Sequence, residues 1–336
     1  MQLRLIANTA VENRRVQVDY IRAIATVGVV CIHAVAGYFL SAYGDALWHG
    51  FNALDALCRY AVPLFFMISG LFHIENSRYR FSSFIAKAVK LFFVFLFWQF
   101  IYIVVADKPF CLKSIIAPHY HLWFLPMIAV MYVLTPLINK WLSKVHSLAV
   151  YVVAFLLMGV YSLYTGNVIR NISILSVIGC ASYYLLGYKM QQDSQKMRTG
   201  KWVWAVLFAI SWIATGLGTY LLSDISGVPN ECLYSYSMPN ILLGSVALYM
   251  LLMQIKPVEN KHLRGVMNKV LMPLSSYSFG IYLIHPIFIA LLFNSSYLET
   301  LPMVKCLLTV VISLFASLLL SVLISKIPYL SKVILK

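Results

Sequence analysis

The chain has 336 residues, of which 61% are hydrophobic and only 11% are charged. A soluble domain carries about 25% charged residues, and one soluble core cannot bury so large an apolar excess. Composition therefore excludes an ordinary soluble protein, and the formal net charge of +15 needs an explanation in terms of a membrane.

Apolar runs of about 20 residues, the length that a membrane-spanning helix needs, recur along the whole sequence. They predict an all-α, polytopic membrane protein with about ten transmembrane helices. This divides the chain into an N-terminal segment (1–20), a transmembrane domain (21–325) and a C-terminal tail (326–336). The predicted spans are 21–41, 57–75, 84–105, 121–140, 146–164, 171–189, 201–222, 236–255, 275–295 and 302–325.

The basic residues are distributed asymmetrically between the two sides of these spans. Of the 26 Lys and Arg residues, 21 fall on the side that holds the N-terminus. The positive-inside rule then predicts that both termini are cytoplasmic. The positive charge is explained as a topology signal, so we expect no nucleic acid among the partners.

The first predicted span carries a polar stripe made of Asp19, Arg22, Thr26 and His33. Eleven residues are about three helical turns, so Arg22 and His33 share a face and lie roughly 16 Å apart along the axis. Arg22 is then close to the inner interface and His33 is near mid-membrane. A polar group at that depth needs a partner, and an unprotonated imidazole there has the form that a general base requires. The alternative is a histidine that only hydrogen-bonds to a neighbouring helix.

A second histidine occurs in the ninth predicted span. Ser278, Tyr282 and His285 follow i, i+4, i+7 spacing and line one face. The predicted topology also places His285 near mid-membrane, so the two histidines are able to meet in one cavity. Helix-to-helix hydrogen bonding and aromatic packing are the alternative explanation.

Other candidates lie toward the predicted outer side. His121 and Trp123 begin the fourth span, where interfacial aromatic residues are common. Arg59 is one of few basic residues on this side, and it either extends toward headgroups or binds an anionic group. No carboxylate lies inside the predicted spans away from their ends, which argues against proton-coupled transport, and no cysteine or histidine pattern predicts a metal site.

Four stretches together resemble the acyltransferase 3 family of bacterial membrane proteins. Asp19, Arg22 and His33 match the family's first-helix pattern in order and spacing, and Val18 stands where some members carry a further arginine. The other three stretches resemble the second-, fourth- and ninth-helix motifs: RYAVPLFFMISG, HLWFLPMIAVMYVLTPLI and SFGIYLIHP. The chain resembles the short type without an esterase-like C-terminal domain, to which the O-acetyltransferase of enterobacterial common antigen belongs.

The resemblance implies an O-acyltransferase of the bacterial inner membrane. It would move an acyl group, most often acetyl from acetyl-coenzyme A, to a hydroxyl of a cell-envelope glycan or lipid-linked sugar. It also implies that His33 is essential, as a base or as a transient acyl carrier.

The resemblance also implies roles for the candidate residues. Asp19, His285 and Tyr282 would assist His33. Arg22 and Thr26 would bind the donor, which needs no metal. Arg59, His121 and Trp123 would bind the acceptor. A glycolipid exporter or flippase is the alternative function, since ten helices also suffice for it.

Overall fold

A computed structural model of the chain describes residues 2–74, 81–107, 109–142, 174–194, 199–255 and 261–327. These ranges contain helices and no strand, which confirms the all-α prediction. In chain order the helices are α1 (Gln2–Ser41), α2 (Trp48–Cys58), α3 (Ala61–His73), α4 (Phe81–Val105), α5 (Leu112–Ile116), α6 (Phe124–Leu142), α7 (Ile174–Ser194), α8 (Lys201–Ser226), α9 (Pro239–Met253), α10 (Lys261–Ser276), α11 (Ser278–Phe293) and α12 (Pro302–Ser325).

Several of these helices are long and apolar enough to cross a membrane. Six helical segments of the described ranges meet that criterion, and a bent pair, when counted as one span, makes seven. The protein is therefore a multi-pass membrane protein. The number ten stays a prediction, because the predicted span 146–164 lies outside the described residues. The predicted span 302–325 coincides with α12, whereas α1 continues without a break through the predicted boundary at residue 20.

The second span differs from its prediction. It consists of α2 and α3, which together form an apolar segment from Trp48 to His73. The helix is interrupted at Arg59 and Tyr60, and Pro63 follows in the first turn of α3, where its missing N–H is tolerated. The earlier start brings Asp55, which is fully buried, into the span. The expectation that the spans hold no carboxylate is therefore wrong.

The predicted span 275–295 also consists of two helices. The last part of α10 and the whole of α11 form an apolar pair bent by 82°. Tyr277 joins them, and its N–H bonds to the carbonyl of Pro273. The first turns of α10 are polar, so the apolar pair begins only at Met267. Pro273 lies inside α10, close to the bend.

The described helices form two compact units. The first comprises Met1–Phe65 and Met190–Leu318. In it, α1 packs against α2, α9, α10 and α11, while α8 packs against α2 and α9. Lipid is as apolar as these side chains, so close packing and hydrogen bonds hold such helices together. One buried cluster consists of Val30, Cys31, Ala34, Val35, Tyr38, Phe51, Ile281, Ile289, Cys306, Val310 and Leu314.

The second unit comprises Phe66–Lys189 and Leu319–Lys336. Here α4 packs against α5 and α6, and α3 crosses α7 at very short range. A Cβ atom added at Gly70 would collide with the carbonyl of Tyr184, and one added at Gly187 would collide with the carbonyl of Met67. Both glycines are needed because the two backbones touch.

Candidate active site

Two histidines from different helices meet inside the first unit. The ring centroids of His33 on α1 and His285 on α11 lie 5.2 Å apart, with 31° between the ring planes. His33 is half-buried, and His285 is completely buried. Two imidazoles this close share one microenvironment, which suits proton transfer or the orientation of one ring by the other.

The position of the proton on His285 follows from its own helix. Its Nδ1 lies 3.0 Å from the carbonyl oxygen of Ile281. A carbonyl only accepts hydrogen bonds, so Nδ1 carries the hydrogen and Nε2 keeps a lone pair in the neutral ring. Half-buried Tyr282 precedes it, with 6.4 Å between the ring centroids. α11 thus presents a histidine of defined tautomer beside His33.

The predicted inner end of the site is built from α1 and α10. Ser275 donates a hydrogen bond of 2.7 Å to Asp19 Oδ1, and Arg22 Nη1 lies 3.9 Å from the same oxygen. The side chain of Arg22 is 36% exposed and that of Asp19 is 22% exposed. The side chain of Arg22 is only partly enclosed, which is compatible with contact to an anionic group while Asp19 lies beside it.

Thr26 lies between the two parts of this stripe. It is buried, and its hydroxyl donates to the carbonyl of Arg22 at 2.7 Å. Such back-bonding satisfies the hydroxyl within its own helix. Its predicted role in donor binding stays a prediction.

Arg59 has a different environment from the one expected. Its Nη2 donates to Asp55 Oδ2 at 2.6 Å, and its guanidinium lies 4.2 Å above the ring of Tyr234. Arg59 therefore does not extend toward headgroups as a single charge. It is half of a buried ion pair next to the segment that joins α8 to α9.

The other predicted acceptor residues belong to the second unit. His121 is 1% exposed, and its Nδ1 lies 3.1 Å from Nδ1 of His119, so one of the two nitrogens donates to the other. The ring of Tyr102 stacks on His119 at 4.4 Å and meets His121 edge-on at 4.7 Å. Trp123 is half-buried.

Gln99 on α4 holds the segment that leads to these histidines. Its Nε2 donates to the carbonyls of Ser114 and Ala117 at 2.7 and 2.8 Å, while its Oε1 accepts from the N–H of His119 at 2.8 Å. A single buried amide thus satisfies three backbone groups of the connection between α4 and α6.

Sequence reasoning missed Ser275, Asp55, Tyr234 and Gln99. Ser275 and Gln99 are common polar residues whose partners lie in other segments, so no local pattern marks them. Asp55 is different: it lies four residues before Arg59, a spacing that pairs opposite charges on a helix. The spacing becomes visible when the helix begins before residue 57, as α2 does.

No three His, Cys, Asp or Glu side chains of the described ranges lie close enough together to hold a metal ion. The expectation of a metal-independent reaction stays a prediction.

Comparison with known proteins identifies the family. A family model described as an acyltransferase domain, that of the acyltransferase 3 family, matches residues 15–326. No curated protein and no solved structure matches the chain, so the similarity to the enterobacterial common antigen enzyme stays a prediction. The matched region contains every helix described above apart from the first turns of α1, and the chain therefore belongs to the acyltransferase 3 family of membrane acyltransferases.

Proposed function

We propose that the protein transfers an acyl group, with acetyl as the first candidate, from acyl-coenzyme A on the cytoplasmic side to a hydroxyl of a cell-envelope glycan or lipid-linked sugar. The proposed site of action is the bacterial inner membrane. One observation carries the proposal: His33 and His285, from helices far apart in the sequence, bring their rings within 5.2 Å in a chain of the acyltransferase 3 family.

The donor would bind at the cytoplasmic end of α1. Coenzyme A carries phosphates, and a guanidinium suits bidentate phosphate binding; the side chain of Arg22 is 36% exposed. Asp19 lies 3.9 Å from Arg22 and itself accepts a hydrogen bond from Ser275. About three turns separate Arg22 from His33, so the thioester would approach the histidines from the cytoplasmic side.

The chemistry has two possible routes at His33. As a general base, His33 takes the proton of the acceptor hydroxyl while the hydroxyl oxygen attacks the thioester carbonyl. The C–S bond then breaks, and the thiolate of coenzyme A takes up a proton. As a relay, an unprotonated nitrogen of His33 attacks the thioester carbonyl, the C–S bond breaks, and the thiolate of coenzyme A leaves and takes up a proton. The acceptor hydroxyl then attacks the acyl group on His33, the C–N bond breaks, and the imidazole takes up the proton of the hydroxyl. In both routes His285 orients the reacting ring, and Tyr282 contributes a hydroxyl for the developing oxyanion.

The decisive experiment uses purified protein, isotope-labelled acetyl-coenzyme A and extracted envelope glycolipids. Label on a glycan hydroxyl supports the proposal. His33→Ala should reduce transfer by about 10²- to 10⁴-fold, the usual contribution of a positioned acid–base group. His49→Ala is the matched control, because His49 is an exposed histidine on α2. Wild-type transfer rates in His33→Ala would contradict the assignment.

The two routes are separated by omitting the acceptor. Mass spectrometry of protein incubated with labelled donor alone should find an acetyl group on His33 for the relay and none for the base. Movement of a glycolipid across vesicles without any labelling of a glycan would instead support the exporter.

A further inference from the structure

A second polar cluster in the first unit is distinct from the histidine pair. The ion pair between Asp55 and Arg59 is its centre, and the two side chains are 0% and 13% exposed. The ring of Tyr234 covers the guanidinium at 4.2 Å. Taking two charges out of water is costly unless their remaining hydrogen-bonding groups are used as well.

Those remaining groups are not used by the part of the protein that the structure describes. Asp55 Oδ1 and Arg59 Nε are buried, and neither has a hydrogen-bond partner among the residues that the structure describes. The neighbouring polar groups are already engaged: the hydroxyl of Tyr234 donates to Asn52 Oδ1, and Asn52 Nδ2 donates to the carbonyl of Gly216 at 2.8 Å. The cluster therefore keeps one strong acceptor and one strong donor for something else.

The chemistry of that ligand follows from the pair. A hydroxyl group both donates and accepts, so it satisfies a carboxylate oxygen and a guanidinium N–H together. The net charge of the pair is zero, and a phosphate that approached Arg59 would meet the negative charge of Asp55. An aliphatic group would leave both atoms unsatisfied. The ring of Tyr234 is itself buried and packs on the guanidinium, so it closes one side of the pair, and the ligand would have to reach the two unpaired atoms from another side.

The surroundings of the pair indicate the side of approach. The segment that connects α8 to α9 covers the cluster with Tyr234, and Glu231 and Tyr236 of the same segment are close enough to interact electrostatically with Asp55 and Arg59 respectively. The predicted topology puts this connection on the outer side. A glycan hydroxyl and a donor from the cytoplasm would thus reach the first unit from opposite sides.

We propose that Asp55 and Arg59 form an acceptor subsite that binds an uncharged sugar hydroxyl. This inference rests on the proposed function and adds to it that the acceptor is held by its neutral hydroxyl groups at this point, not by a phosphate or carboxylate.

The kinetic test compares two variants with wild type in the labelled-donor assay. Arg59→Lys keeps the positive charge beside Asp55 and removes Nε, and the double replacement Asp55→Asn with Arg59→Gln removes both charges. Loss of one or two hydrogen bonds should raise the KM for the acceptor roughly 10- to 100-fold and leave the KM for acetyl-coenzyme A unchanged. An unchanged acceptor KM in a variant that accumulates normally would overturn the proposal, as would an equal rise in both constants.

A matched control separates a subsite from general loosening of this region. Tyr43→Phe removes a 2.8 Å hydrogen bond to the carbonyl of Ser223 near the end of α8 and leaves the ion pair intact. It should not change the acceptor KM.

Direct binding tests the subsite independently of catalysis. Glucose, galactose and N-acetylglucosamine, each compared with its 1-phosphate, are added to purified protein in detergent, and the melting temperature is recorded. At least one neutral sugar should raise the melting temperature of wild type, and Arg59→Lys should lose the shift. A shift with the phosphates alone, or with no sugar at all, would overturn the proposal. If wild type binds neutral sugars in this way yet transfers no acyl group, the subsite stands and the proposed function fails.

Discussion

Lys305 offers a test of how the helix that carries His285 is held. It lies in the first turn of α12 and is 6% exposed. Its Nζ donates to the carbonyls of Phe293 and Ser295, at 3.1 and 2.6 Å, and these groups lie at the C-terminal end of α11. Replacing Lys305 by methionine preserves most of the side-chain volume and removes both hydrogen bonds.

The size of the effect follows from two opposing contributions. Hydrogen bonds from a charged donor contribute about 1.5–3 kcal/mol each, so the two bonds together give about 3–6 kcal/mol. Burying an ammonium group costs several kcal/mol, which the methionine variant avoids, so only part of that stabilisation is lost. We expect Lys305→Met to lower the free energy of unfolding by about 2 kcal/mol.

Thermal unfolding in detergent measures this change. A loss of about 2 kcal/mol should lower the melting temperature by about 2–4 °C in a chain of this size. Lys113→Met is the control, because Lys113 is an exposed lysine on α5, and it should melt like wild type. Identical melting temperatures for Lys305→Met and Lys113→Met would refute the view that Lys305 holds the end of α11.

Three further predictions concern the second unit. Gly70→Ala should reduce accumulation of folded protein, since its methyl group collides with the carbonyl of Tyr184 and overpacking typically costs about 1–3 kcal/mol or more. Gln99→Leu should make the connection between α4 and α6 sensitive to added protease, because three backbone groups lose their partner. The hydrogen bond with Ser114 lowers the pKa of the exposed Cys111 thiol, so Ser114→Ala should slow its alkylation by a membrane-impermeant maleimide at neutral pH.

Each of these has its own control. Gly265→Ala should not reduce accumulation, because nothing lies within 4 Å of a Cβ atom there and alanine is favoured inside the helix α10. Gln99→Glu keeps Oε1 for the N–H of His119 and should protect the connection better than leucine does. A lowered pKa increases the thiolate fraction only below full ionisation, so the Cys111 alkylation rates with and without Ser114 should converge at strongly alkaline pH. Equal rates at neutral pH would contradict the prediction, and labelling only after the membrane is opened would contradict the outer location of Cys111.

The histidine pair was within reach of sequence reasoning because each half follows from helical spacing. His33 shares a face with Arg22, and His285 shares a face with Tyr282, through the period of 3.6 residues. Whether the two histidines meet depends on which helices are neighbours, which spacing along one helix does not show. The contact was expected only because both histidines were predicted to lie near mid-membrane. The same spacing did not give Ser275 as the partner of Asp19, since their contact joins residues 256 positions apart.

The buried ion pair shows why the second span was misjudged. Asn52 and Asp55 reduce the mean hydropathy of α2, so a search for apolar runs starts the span at residue 57. Asn52 accepts a hydrogen bond from Tyr234, 182 positions further along the chain, and Asp55 pairs with Arg59. Hydropathy measures how well a side chain tolerates contact with lipid, whereas these two side chains contact other parts of the protein.

The bend between α10 and α11 has a mechanical consequence. Asp19 meets Ser275, and His33 meets His285, so α1 is joined at two levels to the two arms of one bent element. Along α1 the two contacts are 14 residues apart, about 21 Å, while ten residues separate Ser275 from His285 across the 82° corner. The four residues therefore connect α1 to both arms of the bent element. We expect a displacement of α10 to be felt at the histidine pair, because both arms of that element contact the same helix.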